Sequence, residues 1–371
     1  MIPQRSAWPL LSFTIETNKS FKIGHTDIVL QQGLLPIVEF PAIFGHEGAG
    51  IIRAIGNKVK NKSLQPGDSV LLSFTTCGVC SACIGSHPAF CHSHATVNHN
   101  AVRISDRTTP ARLPTGESVR SQYFGQSSFS KLSVVNEKCV VKCSHPDKME
   151  VYAPIGCGIQ TGAGTVLNVL KPRKDESVVI FGIGSVGLAA VMAAKYLDVG
   201  MIVAVDLVPS RLELARELGA THVINSKEID AVTGIKEITE GGANYAIDCT
   251  GIIKVIEDIV EAIGPEGTAA VVGVPPAEKK ISIDPLSFLL ANKKLVGVIE
   301  GDSNPEVFVP RLIEMHQEGK FPIEKLSVVY PVERFEDAIH DMHSGKVCQK
   351  SCPLQNNEIL KFLILGYQTG N

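Results

Sequence analysis

The chain has 371 residues, enough for two or three domains, and its 44% hydrophobic and 20% charged residues are ordinary for a globular protein. Its 35 Lys and Arg residues almost balance its 38 Asp and Glu residues, which disfavours a nucleic-acid-binding protein built on a basic face. The sequence has no apolar run of membrane-spanning length and no secretory signal pattern, so we expect a cytoplasmic protein without a membrane partner.

The predicted elements change in character along the chain. Residues 36–90 are rich in Gly, Pro and short β-branched runs, which predicts short strands joined by turns. From residue 176, strands and helices alternate, with strands predicted at 177–181, 201–206, 245–248 and 268–272 and helices at 185–197 and 210–218. Such alternation is typical of an α/β fold with a doubly wound parallel sheet, and it weakens after residue 300.

A glycine-rich segment follows the first strand of this alternating region. Gly182, Gly184 and Gly187 have the spacing G-x-G-x-x-G, between a predicted strand and a predicted helix. The first glycine allows a tight turn, the second lets the backbone approach a pyrophosphate, and the third permits close packing of helix on strand. The pattern therefore predicts a dinucleotide site, although a glycine turn that only packs the strand against the helix is the simpler alternative.

An acidic residue ends the next predicted strand. Asp206 lies 19 residues after Gly187, where a carboxylate can bind the ribose hydroxyls of the cofactor. Because a carboxylate repels a 2′-phosphate, this residue favours NAD over NADP. Arg211 follows five residues later and is a candidate contact for the adenosine end.

Four of the ten cysteines are clustered in the first part of the chain. Cys77, Cys80, Cys83 and Cys91 are spaced C-x2-C-x2-C-x7-C, which suits a closed tetrahedral zinc site that stabilises a loop. An iron–sulfur cluster is the main chemical rival, a zinc ribbon for nucleic acid is disfavoured by the overall charge, and disulfides are disfavoured by the expected compartment.

A second metal site is suggested by two separate segments. His46 and Glu47 lie in the turn GHEGAG, and Cys157 lies in APIGCGIQTGAG, just before the alternating region. His and Cys with one further ligand form the donor set of a catalytic zinc site that leaves one position open for substrate. Taken singly, these residues are more often buried packing residues.

Together these motifs resemble the zinc-containing medium-chain alcohol dehydrogenases, from about residue 24 to residue 347. The segments IGCGIQTGAGTVLNVLKP and PAIFGHEGAG are most similar to the aryl or benzyl alcohol dehydrogenase branch. The resemblance implies a GroES-like, β-rich catalytic domain that is split around a Rossmann domain. The expected limits are residues 1–158 with a structural zinc lobe at 77–91, 159–299 for the Rossmann domain, and 300–371 for the return to the catalytic domain, with an atypical tail at 348–371.

The resemblance also implies roles for individual residues. His46 and Cys157 match the ligands of catalytic zinc, and Glu47 is the acidic residue that can approach the metal. Thr26 has the place of the hydroxyl that relays the alcohol proton, and Asp27 would orient a ligand. The cysteine lobe matches the structural zinc loop, and the cofactor positions are matched by His25, Gly182, Gly184, Val186, Gly187, Asp206 and Arg211. The implied protein is a homodimer or homotetramer, with residues 290–303 as the candidate contact surface.

The sequence departs from the family at one metal position and at both ends. The family motif Cys-His-Thr-Asp carries the third zinc ligand, but here it reads Gly24-His25-Thr26-Asp27, and glycine has no donor atom. Glu47, His25 or Asp27 are the candidates to replace it. Residues 1–23 show no strand pattern of the family, and the segment after residue 347 does not resemble its closing strand, which suggests a misassembled gene model as one explanation.

Two functional hypotheses remain from different classes. The first is an NAD- and zinc-dependent dehydrogenase that interconverts a primary aromatic or allylic alcohol and its aldehyde. The second is an NAD-binding homologue that retains the fold and the structural zinc but lacks an intact catalytic site because of Gly24. A zinc-free reductase of the same fold is disfavoured by the cysteine lobe.

Overall fold

A computed structural model of the chain describes residues 12–22, 24–31, 38–330, 334–343 and 349–352. By internal contacts it divides into two compact units. Unit 1 contains the described residues of Met1–Cys157, Asn304–Ile313 and Ser327–Asn371, and unit 2 contains Gly158–Ser303 and Glu314–Leu326. Because contacts delimit compact units rather than folding domains, the domain limits given above remain predictions.

The elements up to residue 157 are mainly short strands. The strands are β1 (Ser12–Lys22), β2 (Gly48–Ile55), β3 (Ser69–Leu72), β4 (Ala111–Arg112), β5 (Ser118–Val119), β6 (Leu132–Asn136) and β7 (Val140–Lys142). The helices are α1 (His25–Gln31), α2 (Ser81–Ile84), α3 (His94–His99) and α4 (Met149–Tyr152). Short 3-10 turns lie at Pro88–Phe90, Tyr123–Gly125, Glu137–Cys139, Pro146–Lys148 and Ala153–Gly156.

Strands and helices alternate in the next part of the chain. Helix α5 (Gly158–Gly164) continues as a π-helical stretch, Thr165–Leu170. The strands are β8 (Ser177–Phe181), β9 (Met201–Asp206), β10 (His222–Asn225), β11 (Ala243–Asp248), β12 (Ile263–Val271) and β13 (Lys294–Gly297). The helices are α6 (Ser185–Tyr196), α7 (Pro209–Leu218), α8 (Ala231–Ile238), α9 (Ile253–Ala262) and α10 (Pro285–Leu290).

The last described elements complete both units. They are α11 (Pro305–Gln317), a 3-10 turn at Ile323–Leu326, β14 (Ser327–Val329), α12 (Phe335–His343) and β15 (Gln349–Cys352). None of the helices in the described ranges is both long and apolar enough to cross a membrane.

Unit 2 is built on a parallel sheet. Among the described residues its strands have the order β10-β9-β8-β11-β12-β13, and every neighbouring pair is parallel. All five residues of β8 are buried, as expected for a strand that is covered on both faces. Helix α7 starts with a proline and ends before Gly219, which are favourable residues at these positions. The predicted doubly wound α/β fold is confirmed, with strand and helix limits within a few residues of those expected.

Unit 1 is built on a mainly antiparallel sheet. Its described strands have the order β14-β15-β1-β2-β3-β7, and β6 also pairs with β1. Phe13 and Ile15 of β1 are fully buried in a core with Ile52, Val70 and Leu72. The expectation that residues 1–23 lack a strand is therefore wrong for residues 12–22. Phe13 and Ile15 both face the core, and the polar segment that follows them in the sequence obscures the alternation.

The end of the described chain also joins this sheet. Strand β15 pairs parallel with β14 and antiparallel with β1. The expectation that the segment after residue 347 lacks a closing strand is thus wrong for residues 349–352. Strand pairing uses backbone N–H and C=O groups, so an unusual side-chain sequence does not prevent it. The rest of the predicted tail, 353–371, and residues 1–11 lie outside the described residues.

Candidate active site and metal centre

The turn that carries His46 follows directly on a buried apolar segment and precedes β2. Gln126 holds this turn, because its side-chain amide donates to the His46 carbonyl at 2.8 Å and accepts from the Gly48 N–H at 3.2 Å. The same amide donates to the Ser73 carbonyl at 2.9 Å. His46 and Glu47 are each only 2% exposed, so the protein fixes both side chains inside unit 1.

Asp27 fixes the orientation of the His46 ring. One of its carboxylate oxygens, Oδ2, lies 3.0 Å from Nδ1 of His46 and accepts from the Gly24 N–H at 3.0 Å. The other, Oδ1, accepts from the Gly45 N–H at 3.0 Å. A carboxylate on Nδ1 is the arrangement that leaves Nε2 of a histidine as the metal-binding nitrogen and raises its basicity. The chemistry of this His–Asp pair therefore fits a metal ligand.

Gly24 stands beside that same ring. A Cβ atom at Gly24 would lie 2.5 Å from Cε1 and 3.1 Å from Nε2 of His46, and 3.2 Å from Oδ2 of Asp27. Position 24 is thus adjacent to the nitrogen expected to bind metal, but the imidazole occupies space that a side chain at this position would need. The residue at this place contributes a backbone N–H and no donor for a metal.

The other residues predicted for this site differ in how deeply they are buried. Glu47 is buried and Cys157 is partly buried at the end of unit 1, where its N–H donates to the Pro154 carbonyl at 3.4 Å. Thr26 is partly buried in the first turn of α1, and the His25 side chain lies outside the described residues. Within the described ranges, the four cysteines of the lobe form the only group of three or more His, Cys, Asp or Glu whose donor atoms converge, so His46, Glu47 and Cys157 do not form a preassembled three-donor centre.

Aromatic rings surround His46. Its ring centroid lies 4.9 Å from that of Phe124 and 5.9 Å from that of Tyr123. Beyond them, His99 stacks on Tyr123 at 6.3 Å, and His94 lies 6.0 Å from His99. Burial lowers the pKa of His94 and of His99 to about 4, and the nearby His94 and His46 contribute to the shift of His99, so both imidazoles are neutral at pH 7.

The cysteine lobe has the geometry of a metal centre. The ligand atoms of Cys77, Cys80, Cys83 and Cys91 all lie within 4.8 Å of one another. The Cys77 and Cys83 sulfurs are 3.9 Å apart, and the Cys80 and Cys83 sulfurs are 3.5 Å apart. A tetrahedron with Zn–S bonds of about 2.3 Å has sulfur–sulfur edges of about 3.8 Å, whereas a disulfide would need about 2.05 Å. The donor set and its spacing therefore fit zinc.

The protein environment of the four thiols is uneven. Hydrogen bonds from the backbone N–H groups of Cys83 and His92 lower the pKa of Cys80 to about 6, whereas burial raises the pKa of Cys91 to about 12. At pH 7 the Cys91 thiol keeps its proton unless a cation displaces it. Zinc binding by the lobe is therefore coupled to proton release.

The glycine-rich turn lies at the carboxyl end of β8 in unit 2. Gly182 has a φ of +86°, a conformation that favours glycine. A Cβ at Gly187 would lie 2.1 Å from the Gly182 carbonyl oxygen, whereas one at Gly184 would meet no atom within 4 Å. Helix α6 begins at Ser185, just before Val186, so its N-terminal N–H groups face the turn. This geometry is compatible with a bound pyrophosphate.

Asp206 lies beside that turn at the end of β9. Its carboxylate accepts from the Ile183 N–H at 2.7 Å through Oδ2, and from the Leu207 and Val208 N–H groups at 2.7 and 2.9 Å through Oδ1. Arg211 lies 3.8 Å from Oδ2. Asp206 therefore joins the end of β9 to the glycine-rich turn, a role that spacing alone did not indicate.

The sequence reasoning missed several residues around His46, namely Gln126, Tyr123, Phe124, His94 and His99. The run QYFGQSSF was the available signal, because a buried glutamine between small residues and aromatic residues is typical of a polar group that holds backbone atoms. Nothing in the spacing of His94 and His99 links them to a residue some fifty positions earlier in the chain.

Comparisons with known proteins agree with this construction. Residues 17–145 match the family model of the alcohol dehydrogenase GroES-like domain, and residues 185–317 match that of the zinc-binding dehydrogenases. The chain is 36% identical over 325 residues to a geraniol dehydrogenase of Castellaniella defragrans, covering 87% of this chain and 86% of that protein. The chain belongs to the medium-chain zinc alcohol dehydrogenase family, whose members are oxidoreductases acting on alcohol CH–OH groups.

Solved structures of this family superpose on the chain. A benzyl alcohol dehydrogenase from Acinetobacter calcoaceticus is 37% identical, with a TM-score of 0.89, covering 95% of this chain and 94% of that one. An alcohol dehydrogenase zinc-binding domain protein from Burkholderia ambifaria is 40% identical, with a TM-score of 0.88, covering 93% and 92% of the two chains. The predicted GroES-like and Rossmann-type folds, and the membership of a zinc alcohol dehydrogenase family, are confirmed.

Proposed function

We propose that this member of the family is an NAD-dependent alcohol dehydrogenase that interconverts a primary aromatic or allylic alcohol and its aldehyde. The observation that carries the proposal is the buried His46 ring, held by Asp27 at 3.0 Å and packed against the rings of Tyr123 and Phe124. Both rings are themselves buried in the core of unit 1, so they keep the imidazole in one orientation. A geraniol dehydrogenase and a benzyl alcohol dehydrogenase among the similar proteins, which are named for an allylic and an aromatic alcohol, support the same class.

The residues proposed for the reaction have distinct tasks. Asp27 orients His46 so that Nε2 is available, and His46 with Cys157 and Glu47 would hold the second zinc of the family. Bound there, zinc supplies the Lewis acidity that lowers the pKa of an alcohol hydroxyl. Thr26 is proposed to carry the hydroxyl proton outward. Gly24 adds no donor atom. We therefore expect His46, Cys157 and Glu47 to hold the metal more weakly than a ligand set that includes a thiolate at position 24.

The cofactor contacts are proposed for unit 2. Gly182, Gly184, Val186 and Gly187 would face the pyrophosphate, and Asp206 with Arg211 would face the adenosine ribose. The His25 imidazole is proposed as a further phosphate contact. The negative charge of Asp206 favours NAD because it repels the 2′-phosphate of NADP.

One observation favours the second candidate function, an NAD-binding homologue without turnover. The imidazole of His46 occupies the space that a side chain at position 24 would need. In the described structure, no group of three metal-donor side chains converges at His46. This candidate shares the fold, the cysteine lobe and the cofactor turn with the first. It differs only in the expected metal content and in turnover.

The zinc content of the purified protein, measured in the presence of NAD, separates the two candidates. Two zinc ions per chain, together with NAD reduction by benzyl alcohol or geraniol well above that by ethanol, would support the dehydrogenase. One zinc ion per chain with NAD binding and no turnover would support the homologue without turnover. The Cys80→Ser variant assigns the remaining ion, because it removes a ligand of the lobe alone.

We also propose that the chain forms a dimer through the β13 edge of the unit 2 sheet. Among the described strands, β13 is at the end of the strand order, and Leu286, Leu289 and Leu290 of the preceding helix are 62%, 73% and 77% exposed. Exposed apolar side chains beside an unpaired strand edge favour association with a second copy. Light scattering of wild type and Leu289→Glu tests this, and an unchanged molecular mass would contradict it.

A further inference from the structure

A buried carboxylate lies on a left-handed turn just after β13. Glu300 is only 5% exposed, and Glu300, Gly301 and Asp302 have φ angles of +50°, +63° and +44°. Non-glycine residues adopt such angles at a cost of about 1–3 kcal/mol each, and such residues cluster at ligand-binding sites. A carboxylate is seldom buried without a partner that satisfies it.

Side chains of unit 2 hold this turn. Gln160 is fully buried, and its Nε2 donates to Oε2 of Glu300 at 3.1 Å. The Ser303 hydroxyl lies 3.1 Å from Oε1 of Gln160 and donates to the Glu300 carbonyl at 2.7 Å. Asn168 donates to the Gly301 carbonyl at 3.0 Å. The turn is therefore attached to α5 and to the π-helical stretch that follows it.

The backbone of the turn also lies very close to α5. A Cβ at Gly164 would be 2.3 Å from the Gly301 carbonyl oxygen, and one at Gly301 would be 2.3 Å from the Gln160 carbonyl oxygen. Both positions need glycine for this contact. The side-chain hydrogen bonds hold this short turn, and the glycines at 164 and 301 allow its close contact with α5. Several groups together therefore determine its conformation.

The place of the turn in the sheet connects it with the cofactor. It follows the carboxyl end of β13, and the carboxyl ends of all strands in a parallel sheet lie on one edge. Asp206 ends β9, on one side of the break in strand order between β8 and β11, and the Glu300 turn lies on the other side. A dinucleotide whose adenosine lies at Asp206 and whose pyrophosphate lies at Gly182–Gly187 extends its nicotinamide toward that other side.

We propose that Glu300 is a positioning residue for the nicotinamide half of the cofactor. Through Gln160 and Ser303 it keeps residues 300–302 in the left-handed turn against which the nicotinamide is held. The inference rests on the proposed NAD-dependent function. It differs from a general role in stability because it concerns one half of the cofactor and not the other.

The test compares NADH with ADP-ribose, which lacks the nicotinamide, by isothermal titration calorimetry. We expect Glu300→Ala to weaken NADH binding about tenfold, the size of one or two lost hydrogen bonds, and to leave ADP-ribose binding unchanged. Gln160→Leu should have the same effect. Glu300→Gln keeps an acceptor for Gln160 and should bind NADH like the wild type.

Controls separate the outcomes. Glu237→Ala removes an exposed carboxylate on α8 and should change neither ligand. If Glu300→Ala does not fold, Gln160→Leu and Ser303→Ala provide the same comparison. Equal weakening of both ligands, or no weakening, would overturn the inference while NADH binding by the wild type stands. A wild type that does not bind NADH would contradict the proposed cofactor and this inference together.

Discussion

The cysteine lobe and the His46 site differ in how far apart their donors lie in the chain. All four lobe donors come from residues 77–91, and the structure brings their sulfurs to within 4.8 Å of one another. His46 and Cys157 come from distant segments, and His46 is held in place by residues of other segments, among them Asp27 and Gln126. A local metal site is therefore encoded by spacing, whereas a distributed site depends on the whole fold and can lose a donor without loss of that fold.

The largest expected effect is at the local site. Cys80→Ser should remove one zinc ion per chain and lower the stability of unit 1 by about 4 kcal/mol or more, since a structural metal contributes directly to folding. This corresponds to a fall in melting temperature of roughly 8–16 °C. Elemental analysis and calorimetry measure the two quantities. Ser81→Ala, in the same loop, is the matched control, and a Cys80→Ser protein that keeps its zinc would contradict the assignment.

The second-largest expected effect is a loss of stability in acid, caused by the histidines near His46. The pKa values of His94 and His99 are about 4 in the folded protein and near 6.5 in the unfolded chain, so the unfolded chain binds more protons between these values. Stability is therefore lost as the pH falls from about 6.5 to 4, by about 3 kcal/mol for each imidazole. Urea unfolding of wild type and His99→Asn at several pH values measures this. Equal slopes for both proteins would contradict it.

Asp27 should affect the distributed site and not the local one. Asp27→Asn weakens the support of Nδ1 of His46, and loss of such a partner reduces metal affinity about 10–100-fold. Competition with a chromogenic chelator measures both sites in one titration, so the cysteine lobe is the internal control. Asp106→Asn changes an exposed carboxylate and should alter neither. Equal weakening at both sites would indicate general destabilisation.

Position 24 gives the smallest expected effect and the sharpest comparison. Gly24→Ala should cost roughly 1–2 kcal/mol, because its Cβ would lie 2.5 Å from Cε1 of His46. Gly24→Cys adds the same Cβ together with a thiolate, so it should regain stability when zinc is added and give a cobalt–thiolate absorption band. Thermal unfolding with and without metal tests this. Identical behaviour of the two variants would show that residue 24 does not reach the metal.

The parts of the fold that sequence reasoning predicted well have strong local signals. Apolar runs such as 177–181 and 201–206 predict the strands of the parallel sheet. The spacing of its four cysteines predicts the cysteine lobe. Strand β1 was missed because only Phe13 and Ile15 mark its inward face before a polar stretch. Strand β15 was missed because backbone pairing leaves little trace in four residues.

The candidate site was only partly predictable for a related reason. His46, Cys157 and Gly24 could be assigned from motifs. The contact of Gly24 with the His46 ring could not be predicted, because the spacing of two residues in the sequence does not give their distance in the fold. The same holds for Gln126, 80 residues from His46, and for Glu300, 140 residues from Gln160. These partners depend on how segments far apart in sequence pack.

The late position of β15 has a consequence for synthesis of the protein. The sheet of unit 2 is complete when residue 297 has been made, but the sheet of unit 1 lacks the strand between β14 and β1 until residue 352 has been added. At about 5–20 residues per second, translation reaches that point roughly 3–11 s later. During this interval the Phe21–Lys22 end of β1 lacks its β15 partner, so nascent chains of this protein are candidates for chaperone binding at that end of the strand.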